Sequence, residues 1–140
     1  MFDYIDTIRN NYNKLAFITN KDLIKNIHDA IDYKYINLNI CLTEKLLNYP
    51  IKKRGSKVGY LTQDIISMYS EEVIIITGIE VLFTKHLNVS CVELLKLNSR
   101  NKILIVEWPG EYVNDTLIYA KGHIEEFKYK VNNEFIVIGG

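Results

Sequence analysis

The residues Thr19, Asn20, Lys21 and Asp22 stand where a predicted strand turns into a predicted helix, and they carry groups that could bind phosphate. Lys21 offers a cation, and Thr19 or Asn20 offers a side-chain oxygen. A phosphate-binding loop also needs glycines, so that successive backbone amides can converge on the anion. This turn has none, and Thr19 and Asp22 have the T-x-x-D spacing of a helix capping box. Since Asp22 would also repel an anion, we predict a self-capped turn.

A second place for chemistry is the end of the apolar run "EEVIIITG", residues 71–78. In a nucleotide site that holds Mg²⁺, such a strand ends in Asp, which positions the metal and its water. This strand ends in Thr77, and Glu80 follows three residues later. A Thr hydroxyl is a poor substitute for that carboxylate. Glu80 is either the remaining acid of a weak nucleotide site or a solvated loop residue, and the sequence leaves both interpretations open.

Asp115, Glu126 and Lys128 follow a loose D…E-x-K pattern, similar to that of metal-dependent nucleases. Two carboxylates and a Lys on adjoining strands could bind Mg²⁺ and activate a water molecule. The pattern is common by chance in a chain this rich in Lys and Glu. The three histidines and two cysteines share no ligand spacing, so no zinc site is predicted. We therefore expect no metal and no cofactor, with ATP and Mg²⁺ as the alternative.

A run of cations lies in the segment "IKKRGSK", residues 51–57, which we predict to be a loop. Clustered cations can neutralise the phosphates of a nucleic acid, and each such contact makes binding depend on salt. A solvated loop explains the same residues, and contact with an acidic partner is a further alternative. The four residues are Lys52, Lys53, Arg54 and Lys57.

Aromatic residues are concentrated in the last third of a chain that holds ten tyrosines. Aromatic enrichment is typical of protein interfaces, although the same side chains could cover the core and the edge of a sheet. We predict that an interface with a partner protein lies in this region. Its candidate residues are Trp108, Tyr112, Tyr119, Phe127 and Tyr129.

The elements that must position these residues alternate between strands and helices. Strands are predicted at residues 14–19, 35–40, 71–78, 102–108 and 134–140, with two shorter ones at 116–119 and 127–130. Helices are predicted at 1–12, 21–31, 43–49, 61–70 and 90–98. This alternation predicts an α/β fold of three layers, with a mostly parallel sheet of about five strands and helices on both faces. Residues 1–140 form one domain with no linker in this prediction.

Composition sets limits on the partners of the protein. Seventeen basic and seventeen acidic residues cancel, so no overall field attracts the chain to DNA or to a membrane. No signal peptide is evident at the amino end, and the apolar runs are far shorter than the roughly 20 residues of a membrane helix. We expect a cytoplasmic protein that does not contact membranes.

Four segments resemble the BrxF family, the small P-loop proteins of bacterial BREX phage-defence systems. The segments are "YINLNICLTEKLLNYP", "EEVIIITGIEVLF", "LLKLNSRNKILIVEWPGEY" and "YAKGHIEEFKY". Together they spread over most of the chain, and the most specific part covers residues 99–123. The resemblance implies a P-loop NTPase-like fold and a role in a defence complex.

Two motifs of the family are degenerate in this chain. A G-x-x-x-x-G-K-[ST] loop would stand where residues 19–22 are, and an Asp would stand at Thr77. Glu80, Leu82 and Phe83 match the family pattern. The resemblance and these departures together predict a non-catalytic subunit that contacts other defence proteins and, through its basic segment, DNA. A weak ATP-binding or ATP-hydrolysing protein and a small Mg²⁺-dependent nuclease are the alternatives, and the number of copies in the assembly stays open.

Overall fold

The computed structural model describes residues 2–20, 22–24 and 32–139. Its main sheet has five strands in the order β2-β3-β4-β1-β8, and every neighbouring pair is parallel. This confirms the predicted parallel sheet. The strands are β1 (Leu15–Ile18), β2 (Tyr33–Asn37), β3 (Val73–Thr77), β4 (Ile103–Glu107), β5 (Glu111–Val113), β6 (Thr116–Tyr119), β7 (Phe127–Lys130) and β8 (Ile136–Ile138).

Helices cover both faces of this sheet, as predicted. The central strands are buried on both faces because they are continuous runs of apolar residues. One face packs against α2 (Leu38–Leu46), α3 (Ile51–Ser67) and α4 (Cys91–Asn98), and the other packs against α1 (Phe2–Arg9). Two short 3₁₀ segments follow β3, at Ile79–Phe83 and Lys85–Leu87. Residues 22–24 are helical, and most of the helix predicted at 21–31 lies outside the described residues.

A second sheet replaces the helix that would usually connect β4 to β8. It is antiparallel, in the order β5-β6-β7, and we call it the ribbon, residues 111–130. The ribbon packs through the completely buried Leu117 against the hydrophobic core on the sheet face that α2, α3 and α4 cover. The strands predicted at 116–119 and 127–130 are both confirmed.

The strand predicted at residues 35–40 begins two residues too late and continues three residues too far. β2 ends at Asn37, and α2 begins at the next residue because the Asn37 side chain accepts a hydrogen bond from the Ile40 amide. The apparent alternation in "YINLNI" concealed a helical spacing, in which Leu38 and Leu42 face the core one turn apart. Of the helix predicted at 43–49, residues 43–46 form the second half of α2 and residues 47–49 lie in the turn that follows it.

The loop predicted at residues 51–57 is wrong, because these residues form the first two turns of α3. Pro50, which was expected to end the preceding helix, suggested a break in the chain. Gly55 instead allows α3 to pack closely on the second 3₁₀ segment, since a Cβ at this position would lie 2.5 Å from the Leu87 carbonyl oxygen. Pro50 stands immediately before the first helical residue, where a proline does not interrupt the helix.

Candidate functional site

The carboxyl ends of the parallel strands lie at one edge of the main sheet, where ligands of open α/β sheets usually bind. The register pairs Ile18 with Glu107 and Asn37 with Thr77. The turn after β1, the end of β3 and the end of β4 therefore meet at this edge, as the sequence predicts. Their polar side chains show whether a phosphate or a metal ion could be held there.

The turn after β1 is capped by its own residues, but by Asn20 and not by Thr19. The Asn20 side-chain oxygen accepts a hydrogen bond from the Asp22 amide at 2.9 Å, and its carbonyl accepts one from the Leu23 amide at 3.1 Å. The predicted capping box of Thr19 and Asp22 is therefore wrong in its acceptors, because the Asp22 amide donates to Asn20 and the Thr19 amide donates to Ile138. The prediction of a self-capped turn is confirmed for the described amides of Asp22 and Leu23, which both donate to Asn20. Lys21 lies outside the described residues.

Strand β8 closes the same turn from the other side. The Thr19 amide and hydroxyl both donate to the Ile138 carbonyl, at 3.0 and 3.3 Å. Gly139 follows with a left-handed φ of 107°. A Cβ there would lie 2.7 Å from the Thr19 hydroxyl oxygen and 3.1 Å from the Asn20 nitrogen. The backbone of the last strand is thus packed against the turn.

The polar side chain at the end of β3 also has a hydrogen-bond partner within the chain. The Thr77 hydroxyl donates to the Glu107 carboxylate at 3.4 Å. The next residue, Gly78, has a left-handed φ of 70°, and a Cβ there would lie 2.3 Å from the Asn37 side-chain oxygen. This glycine therefore leaves room for the side chain that caps α2. Glu80 follows in the first 3₁₀ segment with its side chain exposed.

The predicted basic cluster lies on the amino-terminal half of α3. Lys52 and Lys53 are exposed, whereas Arg54 and Lys57 are half-buried against the turn that precedes the helix. Arg54 donates through Nε to the Tyr49 carbonyl at 2.9 Å, and the Lys57 ammonium lies 5.5 Å from the centre of the Tyr49 ring. A helix therefore displays these cations in a fixed arrangement, which a loop would not do.

The predicted aromatic interface is directed mainly towards the protein's own core. Trp108 is only 4% exposed, and its indole N–H donates to the carbonyls of Glu111 and Ile118. The prediction of Trp108 as an interface residue is therefore wrong, because its side chain is fully packed. Tyr119 stacks on Phe83 with 3.9 Å between ring centres. The half-buried residues on the inner face of the ribbon are Tyr112, Tyr119, Phe127 and Tyr129.

The ribbon nevertheless exposes apolar surface at its tip. Ile124, in the connection between β6 and β7, is 81% exposed. It borders a cleft of about 360 Å³ that is also lined by Phe83 and Phe127. Ile124 lies within the region where the sequence predicts an interface, but it is not among the predicted interface residues.

The nuclease-like pattern does not form a site. The register of β6 and β7 pairs Thr116 with Lys130 and Tyr119 with Phe127, so Asp115 and Glu126 lie at opposite ends of the ribbon. Glu126 instead accepts from the Gly122 amide and pairs with Lys128. Across the described part of the chain, no group of three or more His, Cys, Asp or Glu side chains is arranged to hold a metal ion.

A polar cleft that the sequence did not predict opens at the opposite, amino edge of the sheet. It has a volume of about 720 Å³ and lies between α4 and the loops that precede β1 and β8. Lys96 contacts Glu134, Glu93 and Tyr129 there. Burial lowers the pKa of Lys96, but these hydrogen bonds together outweigh burial and raise it. Three distant segments form this cleft, so no local motif could have indicated it.

Comparison with known proteins identified no relative. A scan against models of protein families gave no match, and neither did searches of curated proteins and of solved structures. Among the described residues, no helix has the length and apolar character needed to cross a membrane. The functional assignment therefore depends on the geometry of this chain and on the resemblance of its segments.

Proposed function

We propose that this chain is a non-catalytic, P-loop NTPase-like subunit of a BREX-type bacterial phage-defence complex. The main support for the non-catalytic role is the turn after β1, whose described amides are capped within the chain. In a nucleotide-binding relative, this turn would present free amides to phosphate. Here Asn20 caps the first helical turn, and the Gly139 backbone packs against Thr19.

The topology of the main sheet supports the NTPase-like part of the proposal. Strand β4 lies between β1 and β3, and an additional strand, β8, pairs with the outer side of β1. The resemblance implies a nucleotide loop directly after β1. The turn that begins at Thr19 stands there in chain order, at the carboxyl edge of the sheet where ligands of open α/β proteins usually bind.

The end of β3 supports the non-catalytic part of the proposal. A catalytic P-loop protein uses a carboxylate at this position to hold Mg²⁺ and its water. Thr77 supplies a neutral hydroxyl, which is directed to Glu107. Glu80 is exposed on the following 3₁₀ segment. The two positions that would hold phosphate and metal are thus both occupied by contacts within the fold.

The ribbon is the surface that we assign to contacts with other defence proteins. Exposed apolar patches on a soluble protein mark sites of interaction more often than chance. Ile124 supplies an exposed apolar group here, beside a cleft that Phe83 and Phe127 line together with the charged residues Lys85, Glu125 and Glu126. The inward-facing aromatic residues hold the ribbon against the core, so that its tip is presented on a stable support.

A complementation experiment tests this proposal. Cells that carry the complete defence locus are challenged with phage after the chain is deleted, restored, or replaced by Lys21→Ala or Glu80→Gln. We expect deletion to abolish protection and both substitutions to retain it, with the chain purifying as a stoichiometric complex with products of neighbouring genes. Loss of protection in either variant, while the protein remains folded and in the complex, would contradict a non-catalytic role.

A further inference from the structure

We infer that the tip of the α2–α3 hairpin binds the phosphate backbone of duplex nucleic acid without reading its sequence. This inference does not depend on the proposed function. We call the surface the basic tip, and it is formed by five cations from the end of α2 and the first half of α3. They are Lys45, Lys52, Lys53, Arg54 and Lys57.

The charge of the basic tip is unusual for this chain. The whole protein is neutral, yet residues 45–63 contain these five cations and no Asp or Glu. Among the described residues, no carboxylate forms an ion pair with any of the five. The positive charge of the tip is therefore available to an external anion.

The arrangement of the cations on α3 fits an extended anion. Lys53 and Lys57 are four residues apart, so they lie one turn apart on one side of the helix. Contacts with Tyr49 orient Lys57 and Arg54. Cations in the first turn of a helix are electrostatically unfavourable in the free protein. An external phosphate would remove this repulsion.

The second 3₁₀ segment packs against the first half of α3, where a Cβ at Gly55 would lie 2.5 Å from the Leu87 carbonyl oxygen. It lies on the side of α3 opposite Lys53 and Lys57, because these residues are two positions from Gly55 in either direction along the helix. Its exposed Lys85 and His86 therefore do not belong to the basic tip, which consists of the cations of α2 and α3 alone.

The other faces of α3 favour a duplex over a membrane or a single strand. Val58, Leu61 and Ile65 are buried in the core, and Ile51 is the one exposed aliphatic residue of α3, which is too little apolar surface for the helix to lie in a bilayer. Proteins that bind single strands stack bases on several aromatic side chains. Tyr60 is the one exposed aromatic residue of α3, and this is insufficient for such a platform.

Fluorescence anisotropy with a short labelled DNA duplex of random sequence tests the inference. We expect binding with a dissociation constant of about 10⁻⁴–10⁻⁶ M near physiological salt, and a linear fall of log affinity with log salt concentration. The double variant Lys53→Glu with Lys57→Glu should bind about tenfold or more weakly, and its salt slope should be smaller by about 1.8. The same protein is also sedimented with phosphatidylserine vesicles.

The matched control is Lys121→Glu with Lys130→Glu, which makes the same change in net charge at two exposed ribbon positions. We expect this control to retain most of the affinity. An acid in the first turn is favoured by the helix dipole, so Lys53→Glu should not unfold α3, and circular dichroism checks this. The inference is overturned if wild-type protein does not bind the duplex, if both double variants lose affinity equally, or if only vesicles bind.

Discussion

The Thr77 hydroxyl donates a hydrogen bond to the Glu107 carboxylate across the adjacent ends of β3 and β4, with 3.4 Å between the two oxygens. This contact lies at the edge where the resemblance to P-loop proteins would place a metal-binding Asp. The hydroxyl is neutral and can share a site with a carboxylate at no electrostatic cost. A second carboxylate at this position would repel Glu107 unless a cation lay between the two groups.

Replacing Thr77 by Asp should therefore destabilise the protein in a pH-dependent manner. Repulsion from Glu107 raises the pKa of the introduced carboxyl, so its destabilising effect is largest at neutral pH and declines as the pH falls below that raised pKa. We expect a loss of about 1 kcal/mol near pH 7, measured by urea unfolding. Thr77→Val, which removes only the hydrogen bond, should show no such pH dependence. A Thr77→Asp variant stabilised by Mg²⁺ would instead indicate a working metal site.

The two glycines of α3 should respond to alanine in opposite directions. A Cβ at Gly55 would meet the Leu87 carbonyl oxygen at 2.5 Å, whereas a Cβ at Gly59 meets nothing within 4 Å. Gly55→Ala should cost about 1–3 kcal/mol of unfolding free energy through overpacking. Gly59→Ala should add about 0.5–1 kcal/mol through helix propensity. Equal effects in chemical denaturation would show that α3 does not pack closely on the 3₁₀ segment.

The Lys96–Glu134 pair in the amino-edge cleft should make the free energy of unfolding decrease at acidic pH. The hydrogen bond from Lys96 lowers the pKa of Glu134. The ion pair therefore adds its full stabilisation of the fold at a pH above the pKa that Glu134 has in the unfolded chain. This stabilisation is lost as the pH falls through the lower pKa that Glu134 has in the folded protein. Glu134→Gln should cost about 1 kcal/mol near neutral pH, a modest value because Glu134 is partly exposed.

This cost should disappear in acid, where the wild-type carboxylate is also protonated. Unfolding curves of wild type and variant at neutral and at acidic pH give the comparison. Glu111→Gln, at an exposed position of β5, serves as the control and should have little effect at either pH. A deficit of Glu134→Gln that is unchanged in acid would contradict the assigned ion pair.

The ribbon tip should be required for assembly. Ile124→Asp places a charge in the exposed apolar patch, and we expect it to abolish co-purification with the neighbouring defence proteins while the isolated chain stays folded. Ile40→Asp is the matched control, because Ile40 is also exposed but lies in the first turn of α2. Retained assembly in the Ile124 variant would show that partners bind elsewhere.

The central strands of the main sheet could be predicted because each is a continuous run of apolar residues, which is typical of buried parallel strands. Ile74, Ile75 and Ile76 need no tertiary information to be assigned to a central strand. The amino-terminal half of α3 could not be predicted in the same way. Gly55 usually favours a loop, and its actual role depends on the approach of Leu87, which is distant in sequence.

The sequence predicts that the turn after β1 caps itself, but it does not predict which groups accept the hydrogen bonds. The absence of glycine around Thr19 already argued against a phosphate loop, but the packing of Gly139 on this turn requires β8 to pair with β1. The aromatic side chains predicted as an interface lie mainly on the inner face of the ribbon, which their number in the sequence does not indicate. The burial of Trp108 depends on the ribbon folding over it, because its indole N–H donates to the Glu111 and Ile118 carbonyls.

Calorimetric titration of ATP with Mg²⁺ into the purified chain tests the central claim most directly. We predict no saturable heat up to about 1 mM nucleotide, because the Asp22 and Leu23 amides donate to Asn20 and the Gly139 backbone packs against Thr19. The titration is repeated with the complex, so that a site completed by a partner is also measured. Saturable binding of one nucleotide to the isolated chain, lost in Lys21→Ala, would contradict the claim.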